Sequence, residues 1–133
     1  MSEQTALQPG LTGEASATVT DAQTAIALGT GSVRVYSSAG MVALIEAAAV
    51  AALEGALPPG KTTVGTRLDV RHTAATPVGM AVRARATLQE VDGRRLVFAV
   101  EAWDAVEAIG TGTHERFIVD AERFEQRAAA KQP

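Results

Sequence analysis

The chain has 133 residues, of which 47% are apolar but only 4% aromatic, with no cysteine and a formal net charge of −3. That length supports one core, and the missing cysteine excludes disulfides, thiolate catalysis and cysteine-ligated metals. The mild negative charge argues against a nucleic-acid partner. Residues 1–12 are polar, with Pro9 and Gly10, and read as a flexible N-terminal arm ahead of a single domain over 13–133. The arm has neither the basic stretch nor the apolar core of a signal peptide, so a cytoplasmic protein is expected. Residues 14–28, with Thr18, Val19, Thr20 and Ile26, predict a first strand, broken by Gly29-Thr30-Gly31.

A long helix follows. The run AGMVALIEAAAVAAL from Ala39 to Leu53 is apolar throughout except for Glu46. Ser37 or Ser38 is a natural N-cap, and Gly55 with Pro58-Pro59-Gly60 ends the helix. The run is too short, and too interrupted by Glu46, to span a bilayer. Residues 62–72 then alternate, placing Thr66, Leu68, Val70 and His72 on a helix-facing side and Arg67, Asp69 and Arg71 on the other. Residues 81–91 alternate in the same way, with Val82, Ala84, Ala86 and Leu88 opposite Arg83, Arg85 and Thr87. Asp92-Gly93 signals a hairpin into a strand over 94–103. A tight connection at 104–106 leads to a last strand over 107–119, and 120–131 has helical composition with Asp120 as cap. One long helix and about five antiparallel strands make an α+β layer, the arrangement of a hot-dog fold.

Glu46 is the first candidate for chemistry. Its helical neighbours three and four residues away, Val42, Ala43, Ala49 and Val50, are all apolar. An ionised carboxylate on such a face is costly, and desolvation would raise its pKa, as suits an acid/base group. His72 ends the helix-facing row of its strand; it reads equally as a core histidine or as the imidazole of an acid/base pair. Ser38 reads first as a cap, but a hydroxyl at a helix N-terminus can also join free amides in holding a developing oxyanion. His114, Glu115 and Arg116 are consecutive on one strand, so they cannot all face one site. With two histidines and no helical pair of them, no metal site is expected. Gly29-Thr30-Gly31 and Gly110-Thr111-Gly112 lack the spacing of a dinucleotide fingerprint. The arginines at 67, 71, 83, 85, 94 and 95 read as a solvated outer sheet face.

Four stretches in order, SSAGMVALIEAA, VGTRLDVRHTAATPVGM, VDGRRL and IGTGTHERFIV, resemble the fluoroacetyl-CoA thioesterase family of hot-dog proteins from about Ser37 to Phe124. The resemblance implies a catalytic carboxylate at Glu46, an imidazole at His72 and a hydroxyl at Ser38, where the fluoroacetyl-specific enzyme has threonine. It implies that Gly65 lets substrate approach the backbone and that Arg116 lines the substrate region. It further implies hydrolysis of an acyl-CoA thioester to free acid and CoA, no cofactor beyond the CoA of the substrate, and a homodimer with the acyl pocket at the subunit interface. No membrane or nucleic-acid partner is implied. The segment GTGSVRVYSS lacks the phenylalanines of that enzyme's lid, so general hydrolysis is expected to transfer and fluoroacetyl selectivity is not. Two competing readings remain at this stage, an acyl-CoA hydratase or dehydratase and a non-catalytic acyl-CoA-binding module.

Overall fold

The structure, a computed structural model, describes residues 6–133. Strand β1 (Thr12–Thr18) is followed by one 3-10 turn (Asp21–Gln23) and a one-turn helix, α1 (Ala25–Leu28). The expected single strand over 14–28 therefore stops early, for a local reason. The Thr20 amide donates to Gln23 Oε1 at 3.0 Å, and Thr24 Oγ1 accepts from the Ala27 amide at 3.2 Å. Such side-chain bonds to backbone compete with sheet pairing and turn the chain. Within the segment expected as an arm, Leu7 and Leu11 pack against the core, and the Gly10 amide donates to the Leu88 carbonyl. The arm's first five residues lie outside the described ones.

Helix α2 spans Ser38–Ala52, and Ser37 is its cap, its Oγ accepting from the Gly40 amide at 2.9 Å. Strands β2 (Lys61–His72), β3 (Ala81–Asp92), β4 (Arg95–Asp104) and β5 (Ala108–Asp120) follow, then helix α3 (Ala121–Ala129), capped by Asp120. The sheet order is β1-β3-β4-β5-β2, with every pairing antiparallel. The ladder runs through Asp92 and Arg95, so the β3–β4 loop is Gly93-Arg94, one residue later than expected, with Gly93 at φ +62°. Asp104 accepts from the Val106 and Glu107 amides and closes the β4–β5 turn.

Helix α2 lies mainly over β1 and β3 and buries Met41, Leu44, Ile45, Ala48, Ala49 and Ala52 against Ala84, Ala86, Leu88, Phe98 and Val100. Its alanines let the helix sit close to the sheet. At Gly13 a side chain would not fit: a Cβ there would stand 2.2 Å from the Ala52 nitrogen. A sheet wrapped about one long helix is the hot-dog architecture, of the α+β class.

The edge strand β2 departs from its expected alternation at one point. A bulge between Gly65 and Arg67 shifts the register, and Thr66 turns to the outer face, where its Oγ1 donates to Glu115 Oε2 at 2.8 Å. Leu68, Val70 and His72 keep the helix-facing side. Because α2 barely covers β2, Leu68 is nevertheless 40% exposed. On the outer face Arg83 and Arg85 flank the Trp103 ring, and α3 buries none of its residues.

Candidate active site

Because Ser37 takes the capping role, the neighbouring hydroxyl is free. Ser38 Oγ lies 2.9 Å from Nδ1 of His72, the last residue of β2. The other ring nitrogen, His72 Nε2, is buried and has no partner among the described residues. Burial pushes the His72 pKa below its ordinary value, which favours the neutral imidazole. In the first turn of α2 the Gly40 amide bonds to Ser37 Oγ and the Met41 amide to the Ser37 carbonyl. The amides of Ser38 and Ala39 have no acceptor among the described residues, so the positive end of the helix dipole stays open beside the Ser38 hydroxyl. A cavity of about 400 Å³ adjoins the pair, lined by Thr30, Val35, Tyr36, His72, Thr73 and Ala74. Its wall thus includes part of the segment that lacks lid phenylalanines. Tyr36 is itself buried, which holds its phenol above the ordinary pKa.

Glu46 sits in a second cluster. Its neighbours along α2 are apolar as the sequence reads, but β5 brings charge to it from across the sheet. Glu46 Oε2 is 3.6 Å from Arg116 Nη1 and 3.8 Å from His114 Nε2, and its side chain is about a third exposed. The expectation of a carboxylate isolated on apolar surface is therefore corrected. Gly65 lies beneath it, and a Cβ there would stand 2.6 Å from Glu46 Oε2. The role of this glycine in the fold is to make room for the carboxylate.

Arg116 is buried and anchored on β2: its Nε donates to Thr63 Oγ1 at 2.8 Å and its Nη2 to the Thr63 carbonyl at 3.0 Å. Burial lowers the guanidinium pKa, and the nearby Glu46 charge opposes that effect. His114, 1% exposed, has Nδ1 at 2.8 Å from the Arg67 carbonyl and Nε2 at 3.1 Å from Arg116 Nη1. Glu115 points to the opposite face, as adjacent strand residues must, and a hydrogen bond from Arg95 holds its carboxyl below the ordinary pKa.

The site residues anticipated from sequence thus fall into two groups within one chain. Ser38 and His72 meet; Glu46, Gly65 and Arg116 meet. Eight residues of helix separate Ser38 from Glu46, about 12 Å along the axis. Thr63 escaped the sequence reading, and His114 was weighed there but not assigned to the site. The available signal for His114 was its parity with Arg116, two residues on along the same strand face. Among the described residues no cluster of three or more histidine, cysteine or acidic side chains could hold a metal.

Comparison with known proteins identifies the family of the chain. The family model described as FlK, fluoroacetyl-CoA-specific thioesterase, matches residues 19–122. A fluoroacetyl-CoA thioesterase of Streptantibioticus cattleyicolor is 44% identical over 99 residues, 74% of this chain and 71% of that protein. A solved structure of the fluoroacetyl-CoA thioesterase FlK superposes with a TM-score of 0.88 at 36% identity, covering 96% of this chain and 98% of the other. A threonine-to-serine variant of it in complex with acetyl-CoA also superposes at 0.88, with 38% identity and coverage of 96% and 100%. A hot-dog-like protein from Thermanaerovibrio acidaminovorans shares the fold at a TM-score of 0.85 and 24% identity over the whole of both chains. The chain belongs to the fluoroacetyl-CoA-specific thioesterase family and is a hot-dog hydrolase of acyl-CoA thioesters.

Proposed function

We propose that the protein hydrolyses short-chain acyl-CoA thioesters in a site shared between two copies of the chain. The observation that carries this reading is the 2.9 Å contact between the Ser38 hydroxyl and the His72 imidazole at the open end of α2, beside a cavity. The Ser38 hydroxyl and the Ser38 and Ala39 amides donate to the thioester oxygen as it gains charge. Glu46 supplies the electron pair that attacks the carbonyl carbon, directly or through a water it deprotonates. As the carbon–sulfur bond breaks, His72 either orients the attacking water or passes the proton released from it to the departing CoA sulfur. CoA enters as part of the substrate, and hydroxyl, carboxylate and imidazole serve the reaction without a resident cofactor. That a serine variant of the relative is seen with acetyl-CoA supports a serine in this role and a small acyl group. Without lid phenylalanines in the segment over 29–38, discrimination in favour of the fluorinated substrate is weak.

What one chain leaves open supports a dimer. β2 is a twelve-residue edge strand, and next to its uncovered inner face α2 exposes Ala43, Ala47 and Val50. A long unpaired edge beside apolar surface is a ready template for a second copy. Antiparallel pairing of β2 with its own copy about a two-fold axis near Leu68 sets the Gly65 end of one strand against the His72 end of the other. The Glu46 cluster of one subunit then approaches the Ser38–His72 pair of the other. No helix among the described residues is long and apolar enough to cross a membrane, and a cytoplasmic location suits an acyl-CoA substrate.

The test is thiol release from a panel of short and branched saturated acyl-CoAs, with enoyl-CoA hydration assayed in parallel. Wild type is expected to release CoA, and Glu46→Gln and His72→Ala to lose about a hundredfold or more. Hydration without release, binding without turnover, or full rates in both variants would each sink the reading.

A further inference from the structure

We propose that His114 is a positioning residue that aims Arg116 at the Glu46 carboxylate; the proposal rests on Glu46 being the acting carboxylate. His114 Nδ1 stands 2.8 Å from the Arg67 carbonyl oxygen, which can only accept, so that nitrogen carries the hydrogen. Burial and the neighbouring Arg116 charge both lower the imidazole pKa, leaving the ring neutral and Nε2 a lone-pair acceptor. Arg116 Nη1, 3.1 Å away, donates to it. A protonated ring would instead set one N–H against another.

This bond acts with two to Thr63 to fix which way the guanidinium faces. Arg116 spends Nε and Nη2 on Thr63, and Nη1 is the nitrogen shared between His114 at 3.1 Å and Glu46 at 3.6 Å. The same imidazole holds the floor under Glu46. Arg67 is the first paired residue after the β2 bulge, so His114 grips the bulge from inside while Glu115, accepting from Thr66, grips it from outside. Gly65, directly beneath the carboxylate, is the last paired residue before the bulge. A core histidine kept only for packing would need the backbone bond alone. The bond to Arg116 connects it to the site.

The two bonds can be separated. In His114→Asn the amide nitrogen can take the Nδ1 place and keep the donor to Arg67, but no atom reaches Arg116. In His114→Gln the amide oxygen reaches the Nε2 place and keeps the acceptor. The Gln variant is expected to hold kcat within about threefold of wild type, and the Asn variant to lose up to about a hundredfold in kcat with KM little changed. In an Arg116→Met background, His114→Asn is expected to cost nothing more, because its effect passes through the arginine. Thermal unfolding of each variant separates these losses from misfolding: a rate loss that merely tracks the melting temperature overturns the proposal. So do equal rates for Asn and Gln, or an additive loss beside Arg116→Met. If Glu46→Gln is inactive and His114→Asn runs at the wild-type rate, this proposal alone falls. A fully active Glu46→Gln removes the functional reading together with it.

Discussion

Ser37 and Ser38 are adjacent residues of the same type with different work, and the difference is one of orientation. Ser37 closes the first turn of α2 through the Gly40 amide, whereas Ser38 turns its hydroxyl to His72. Replacing Ser37 by Ala should cost about 1 kcal/mol of stability and leave kcat nearly unchanged. Replacing Ser38 by Ala should leave the melting temperature in place and slow thiol release by about a hundredfold, as for loss of an oxyanion donor. Paired melting and rate measurements decide it; a Ser38→Ala enzyme at full speed would reduce that hydroxyl to a surface group. The sequence narrowed the cap to these two serines but could not divide the labour, because residues adjacent in a first turn have near-equal claims to cap it. Glu46 teaches a related lesson. Its helical neighbours are apolar, as its spacing requires, but Arg116 lies seventy positions away and reaches it only through the sheet.

At the scale of elements, the α2–β1 contact depends on an absent side chain. Gly13 faces the backbone of Ala48 and Ala52, atoms that cannot move aside as a flexible side chain could. Gly13→Ala should therefore lift the helix from the sheet and cost about 1–3 kcal/mol, read as a lower denaturation midpoint at unchanged slope. An unchanged midpoint would mean that α2 does not pack as closely as described. Periodicity made most elements legible: α2, the four later strands and the capped terminal helix all lie close to where their patterns put them. The exceptions share a cause. Side-chain bonds at Thr20 and Thr24 ended β1 early, and the β2 bulge reversed Thr66. Neither leaves a mark on hydrophobic alternation, since each is a local hydrogen-bond choice or a register choice made against a partner strand.

For the whole molecule the decisive feature is asymmetric closure of the sheet. β1, the other edge, is short and carries Glu14 in ion pairs with Arg83 and Arg85, whereas β2 is long, with Leu68 exposed beside the uncovered part of α2. Self-association through β2 predicts a dimer at micromolar concentration, and Leu68→Lys should shift the mass measured by sedimentation equilibrium toward the monomer and lower activity with it. A wild-type monomer with full activity would overturn the shared site.

By itself the sequence determined the α+β class, the helix and the strand order in the chain, and it nominated Glu46, His72 and Ser38 as candidates, because these follow from local periodicity, caps and turn chemistry. It also carried the family resemblance, through blocks of residues that keep their order. Only the tertiary structure decided which of those residues meet. Ser38 joined His72, Glu46 joined Arg116 and His114, and the two groups stayed apart within one chain, because contacts across a sheet depend on register and on a bulge that no single strand encodes.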